Sequence, residues 1–148
     1  DYGEEVLRES GISPQAPYTL FASDQFDLSL IDRPVQIAFS NSLFSHLTLN
    51  SIYTALLQVQ NVLAPSGVLY ATFFCLEQGY SWLKPFPRNK WGRQFETYSY
   101  QDPYHYPLPL LQDLALRSGF RLDLINDFGH PTQTMVRFRR PRLQRWFS

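Results

Sequence analysis

Residues 50–74 read NSIYTALLQVQNVLAPSGVLYATFF, and they decide the fold. Ile52, Ala55, Leu56, Val59, Val62 and Leu63 recur at steps of three and four, while Ser51, Thr54, Gln58 and Asn61 take the opposite face. That period predicts an amphipathic helix over Asn50 to Leu63. Pro65-Ser66-Gly67 stops it and turns the chain. Val68 to Phe74 is almost wholly apolar, the composition of a strand in the middle of a parallel sheet. Upstream, Val35 to Ser40 is β-prone without clean alternation, as for a strand covered on both faces. Strand, helix and strand joined by a tight turn form a βαβ crossover, so an α/β layer architecture follows.

Downstream, Leu108 to Ser118 is a second helix, with Leu110, Leu111, Leu114 and Ala115 inward and Gly119 as its stop. Phe120, Leu122 and Leu124 alternate with Arg121 and Asp123, and Thr132 to Arg139 alternates as well. The two runs are expected to pair as an antiparallel hairpin across Asp127 to Pro131. On the N-terminal side, Glu4 to Ser10 reads as a helix end closed by Gly11, Pro14 and Pro17 mark a loop, and Tyr18 to Ser23 is a short β-prone run. Between the two halves lies an aromatic stretch, 75–106, with no steady period. Its aromatic content argues against disorder, and its length suggests a lid or binding loop.

Composition leaves the partner open. The chain has 148 residues, zero net charge and 44% hydrophobic residues, enough for one domain with a real core. Arg137, Arg139, Arg140, Arg142 and Arg145 crowd the tail; a solvated edge strand and frayed terminus explain them, and no nucleic-acid partner is expected. One cysteine, Cys75, excludes a disulfide framework within the chain, and the scattered histidines show no metal-ligand spacing. No apolar run approaches the roughly 18 residues that span a bilayer. No membrane partner and a cytoplasmic setting are therefore expected.

Several strings, in order, resemble class I S-adenosylmethionine-dependent methyltransferases. Phe21-Ala22-Ser23-Asp24-Gln25-Phe26 resembles the end of that family's third strand. Ile37-Ala38-Phe39-Ser40-Asn41-Ser42-Leu43-Phe44-Ser45-His46-Leu47 resembles its fourth strand and the turn that follows. Val62-Leu63-Ala64-Pro65-Ser66-Gly67-Val68-Leu69 resembles its Leu-Lys-Pro-Gly-Gly turn, with Ser66 in place of the first glycine. Asp102-Pro103-Tyr104-His105-Tyr106 and Gly129-His130-Pro131 recur in one subgroup. The resemblance covers residues 18–140. It implies a Rossmann-like methyltransferase fold, mainly parallel, with a C-terminal antiparallel β-hairpin. The whole of 1–148 is then one partial domain, with 75–106 as lid and 141–148 as tail.

The family's Gly-rich loop, and the acidic residue that ends its second strand, have no counterpart here. The chain starts at Asp1 and its only methionine is Met135. It is therefore expected to be the C-terminal two-thirds of such a domain, with poor donor affinity by itself. Tyr18 to Ser23 is expected to re-pair beside Val35 to Ser40 or to stay loosely attached.

The resemblance also implies roles. S-adenosylmethionine is the cofactor; Asp24 would accept a hydrogen bond from the adenine amino group, with Gln25 and Phe26 walling the ring. Asn41 and Ser42 would lie near the methionine part. An Asx turn explains Asp24, and helix capping explains Asn41 and Ser42, equally simply. Phe44, Tyr104, Tyr106 and His130 would face the acceptor, although most such aromatics are packing residues. A hydroxyl or protonated amine acceptor needs a general base, a task suited to histidine. His105 ranks first, His46 second and His130 third. Two functions compete: an enzyme methylating a small molecule or saccharide, and a non-catalytic, degenerate methyltransferase-like binding module; the terminal hairpin and the Ser42-Leu43-Phe44-Ser45-His46-Leu47 turn speak against a third, a nicotinamide-dependent oxidoreductase.

Overall fold

A computed structural model describes residues 2–11, 13, 19, 21–23, 25–76 and 78–141. In chain order the elements are α1 (Tyr2–Glu9), β1 (Val35–Ser40), a 3-10 turn (Phe44–His46), α2 (Leu49–Val62), β2 (Leu63–Leu76), β3 (Phe86–Lys90), β4 (Arg93–Thr97), β5 (His105–Pro107), α3 (Leu108–Arg117), β6 (Arg121–Ile125) and β7 (Thr134–Arg139). Gly11 ends α1 with φ +75°, the left-handed conformation expected of that glycine.

The main sheet has the order β1-β2-β7-β6, and β5 pairs with the far end of β2. β1 and β5 run parallel to β2, whereas β7 is antiparallel to both β2 and β6. Among the described residues, β7 alone runs against the other strands of this sheet. The expected C-terminal hairpin is present, and its return strand inserts between β2 and β6.

The βαβ unit forms where the 50–74 period places it. Thr48 caps α2 by accepting the Ser51 N–H at 3.3 Å. Ile52, Ala55 and Leu56 of α2 and Leu111 and Ala115 of α3 are buried against Leu69, Ala71, Phe73, Val136 and Phe138 of the sheet. This apolar layer is the core, and its burial is the main stabilising term of the fold.

Pro65-Ser66-Gly67 is not a free turn but a bulge inside a strand that begins at Leu63. Val35 pairs with Leu63 and Ile37 already pairs with Val68, so residues 64–67 stand opposite Gln36. At Gly67 a side-chain carbon would lie 2.6 Å from the Val35 carbonyl oxygen. A hydrogen is all that fits there.

Three expectations are corrected. β1 is not covered on both faces: α2 lies on one, while Ile37 and Phe39 on the other are 67% and 61% exposed. The 75–106 stretch is not an irregular loop, because β3 and β4 form an antiparallel hairpin closed by Trp91 and Gly92, both at positive φ. The arginines of β7 do not lie on a solvated edge, because β7 is an inner strand. Arg137 and Arg139 share Asp123 at 3.0 and 2.6 Å, and Arg140 donates to the Gln60 and Leu63 carbonyls at the end of α2. Arg142 and Arg145 lie outside the described residues. Of Tyr18 to Ser23, the described residues Thr19 and Phe21–Ser23 are exposed and in no strand; of the two expected outcomes, re-pairing beside β1 is not found among them.

Candidate active site

The carboxyl ends of β1 and β2 are where an open α/β sheet offers a crevice. Ser42, just past β1, adopts φ +56° and donates its N–H to Thr72 Oγ1 of β2 at 2.7 Å. Thr72 Oγ1 also lies 3.5 Å from Asn41 Oδ1. The Asn41 side chain is exposed at the rim.

The last part of the lid is stitched onto this turn. Tyr104 N donates to the Ser45 carbonyl at 2.8 Å, and the Tyr106 hydroxyl donates to the Leu47 carbonyl at 2.6 Å. Burial pushes the Tyr106 phenol well above its usual value, with Tyr104 adding to the shift, so this hydroxyl stays a donor. The third tie is the closest to chemistry: His46 Nδ1 lies 2.6 Å from Asp102 Oδ1, with both side chains about half exposed. A carboxylate only accepts, so Nδ1 carries the proton and Nε2 is left as the basic nitrogen.

The β6–β7 loop closes the third side. His130 Nδ1 accepts from the backbone N–H groups of Thr132 and Gln133, at 3.2 and 2.9 Å. That geometry requires Nδ1 to be unprotonated. Burial, with Lys90 as a lesser cause, lowers the His130 pKa in agreement. Gln133, itself buried, donates to Ser45 Oγ and accepts from Ser42 Oγ, both at 3.3 Å.

The histidines expected to do chemistry thus fall in different settings. His105 is fully buried. Its Nε2 lies 3.0 Å from the Trp82 carbonyl and its Nδ1 3.0 Å from Thr97 Oγ1, so both ring nitrogens are taken. The His46 side chain is about half exposed, and His130 is a loop anchor stacked on Phe128. Among the residues expected at the acceptor, Phe44 is buried and packs edge-on against Phe73, 5.4 Å away, whereas Tyr104 and Tyr106 stack on each other at 6.2 Å.

Of the residues expected at the donor, Asp24 lies outside the described residues and Gln25 is exposed. Phe26, at φ +57°, lines an apolar hollow of about 340 Å³ together with Val35, Phe39 and Ser40. Ala55, Val59 and Val62 of α2 and Leu69 of β2 complete its walls, so the hollow lies between β1 and α2, and neither Asn41 nor Ser42 lines it.

Sequence reasoning missed Asp102 and Gln133. Asp102 stands in a string noted for its histidine, but its partner His46 lies 56 residues away. Nothing local signals such a pairing.

No protein-family model matches the chain, nor does any curated protein. Solved structures do match in fold. An O-methyltransferase family protein from Burkholderia thailandensis superposes with a TM-score of 0.61 at 7% identity, over 96% of this chain and 41% of that one. Mitomycin 7-O-methyltransferase MmcR gives 0.64 at 12% identity, over 93% of this chain and 38% of that one. The glycopeptide N-methyltransferase MtfA, complexed with S-adenosyl-L-homocysteine, gives 0.53 at 14% identity, over 83% and 61%. The chain has the Rossmann-like methyltransferase fold, and it spans about two fifths of the length of the first two of these structures.

Proposed function

We propose that this chain is part of an S-adenosylmethionine-dependent methyltransferase that acts on a hydroxyl of a small molecule or saccharide. The His46–Asp102 pair is its general base. The observation that carries the proposal is the 2.6 Å contact between these side chains at the carboxyl edge of a methyltransferase-type sheet.

The residues present fit part of the donor. Phe26 offers a ring face for an adenine at the edge of an apolar hollow, Asp24 and Gln25 adjoin it in sequence, and the exposed Asn41 stands in sequence just past Ser40 of the same lining. When bound, the donor supplies a methyl group on a sulfonium that departs as a neutral thioether. The protein's own contribution is positioning and proton transfer. Asp102 fixes the His46 ring through Nδ1–H, and Nε2 takes the acceptor's proton as the acceptor oxygen gains the methyl. Ser42, Ser45, Thr72 and Gln133 hold the turns that present these groups. His105 takes a holding role in place of the catalytic one expected for it, because both of its nitrogens are engaged.

The test is release of S-adenosylhomocysteine by the protein that carries this chain, with phenols and simple glycosides as acceptors. His46→Ala is expected to lower kcat by roughly 100-fold or more, within the range for a lost general base, with donor KM unchanged. Wild-type turnover in His46→Ala contradicts the role, and absence of donor binding in the wild type returns the chain to a non-catalytic module.

A further inference from the structure

At the end of the sheet away from the crevice, the start of β2 and the end of β7 enclose an open hollow of about 620 Å³. Residues 65–68 line one side, and Arg137, Arg139 and Arg140 line the other, with no carboxylate in the lining. Among the described residues, Asp123 is the acidic partner of both Arg137 and Arg139. Arg121 stands directly opposite Arg139 in the β6–β7 register. Four cations thus crowd around one carboxylate, in a chain whose net charge is zero. Like charges facing each other across a ladder destabilise it, so the fold alone does not account for this excess. We propose that the hollow is a binding site for the phosphate monoester group of a small molecule. It is separate from the crevice at the carboxyl ends of β1 and β2 and does not depend on the methyl-transfer reading.

The guanidinium groups are already held. Asp123 fixes Arg137 and Arg139 at 3.0 and 2.6 Å, and Arg140 Nη2 donates to the Gln60 and Leu63 carbonyls at 2.6 and 3.0 Å. Each carries more N–H groups than these bonds use, and Arg140 Nε is buried with no acceptor among the described residues. Side chains held in advance lose little freedom when a ligand arrives. The charge then selects the ligand. Asp123 offsets one cation, and the carboxyl end of α2 offsets about half of another. A carboxylate or a phosphodiester, with a single charge, leaves the remainder unbalanced. A phosphate monoester brings close to two charges and several acceptor oxygens, which match guanidinium forks. The exposed Ser66, bonded to Gln36 at only 3.4 Å, adds a hydroxyl at the rim. The volume is that of a small-molecule pocket and leaves room for the rest of the ligand.

The test follows the arginine Nε–H resonances of the whole chain by nitrogen-15 NMR at constant ionic strength. Those of Arg137 and Arg139 are assigned by their loss in Arg137→Lys and Arg139→Lys. Methyl phosphate, dimethyl phosphate or acetate is then added. The expected result is a saturable shift of both resonances with methyl phosphate and none with the other two. Arg137→Gln leaves Asp123 paired with Arg139 and is expected to weaken methyl phosphate binding roughly tenfold or more. Arg117→Gln removes a cation on α3 that has its own partner, Asp113, and is expected to leave binding unchanged. The contrast among the three probes in the wild type stands without any variant. No saturable shift, an equal response to acetate or dimethyl phosphate, an unchanged affinity in Arg137→Gln, or an equal loss in Arg117→Gln overturns the assignment.

Discussion

His105 Nδ1 stands 3.0 Å from Thr97 Oγ1, which joins the β3–β4 hairpin to β5 inside the molecule. A carbonyl only accepts, so Nε2 carries the proton given to the Trp82 oxygen, and Nδ1 receives the Thr97 hydroxyl. One imidazole thereby pins two parts of the lid. His105→Ala takes the donor from the Trp82 carbonyl, leaves Thr97 Oγ1 with only the Phe86 carbonyl at 3.4 Å, and empties a fully buried position, and is expected to cost about 2–4 kcal/mol in urea unfolding. His46→Ala, on a half-exposed side chain, is expected to stay within about 0.5 kcal/mol. Equal losses would contradict the division of labour between the two histidines.

Gly67 supplies a second prediction. A side-chain carbon added there would face the Val35 carbonyl at a distance that no real one tolerates, and the obstacle is backbone rather than a mobile side chain. Gly67→Ala is expected to destabilise by about 1–3 kcal/mol, the usual cost of overpacking, measured as a lowered denaturant midpoint at unchanged slope. Ser66→Gly, next to it and exposed, is expected to stay within about 0.5 kcal/mol.

The pairing of Asp123 with Arg139 and Arg137 sets an acid limit. Hydrogen bonds from Arg139 and then Arg137 hold the carboxyl below its ordinary range. A group with a lowered folded-state pKa stabilises above its unfolded value, about 4, and that contribution is lost as pH falls through the lowered one. The site is partly solvated, so Asp123→Asn is expected to cost only about 0.5–1 kcal/mol near neutrality. The gap between wild type and variant should close in acid. A gap that persists there contradicts the ionic origin.

His130 works in a higher window. Its folded pKa is lowered by burial and by Lys90, so the unfolded chain takes up the proton first, and stability should fall as pH drops below about 6.5 toward the folded value. His130→Asn can keep an acceptor near Nδ1 and removes the titration. Comparing unfolding midpoints at about pH 5 and about pH 8, the variant should lose less than the wild type. An identical loss in both contradicts the loop-anchor role.

The order of elements was legible because the periods of α2, α3, β6 and β7 are carried by residues that the core buries, such as Leu56, Ala115, Val136 and Phe138. The β3–β4 hairpin was not. Pro87 sits inside β3, and the Trp91-Gly92 turn places a bulky residue at positive φ where Asn or Asp is the usual signal. The site was half legible for a similar reason. A histidine after a strand marks the crevice edge, which pointed to His46. The ranking of His105 above it failed to foresee burial, since the local string shows a histidine between two tyrosines and not the Thr97 and Trp82 groups that enclose it. Asp102 became visible only once the lid was folded against the turn after β1.

The central claim is that Asp102 orients His46 so that Nε2 faces the crevice as a base. Nitrogen-15 NMR of the His46 ring, recorded at a pH where it is uncharged, reads the tautomer directly. The protonated nitrogen should be Nδ1 in the wild type, and the population should move toward Nε2–H in Asp102→Ala. An Nε2–H ring in the wild type, or a tautomer indifferent to Asp102→Ala, contradicts it.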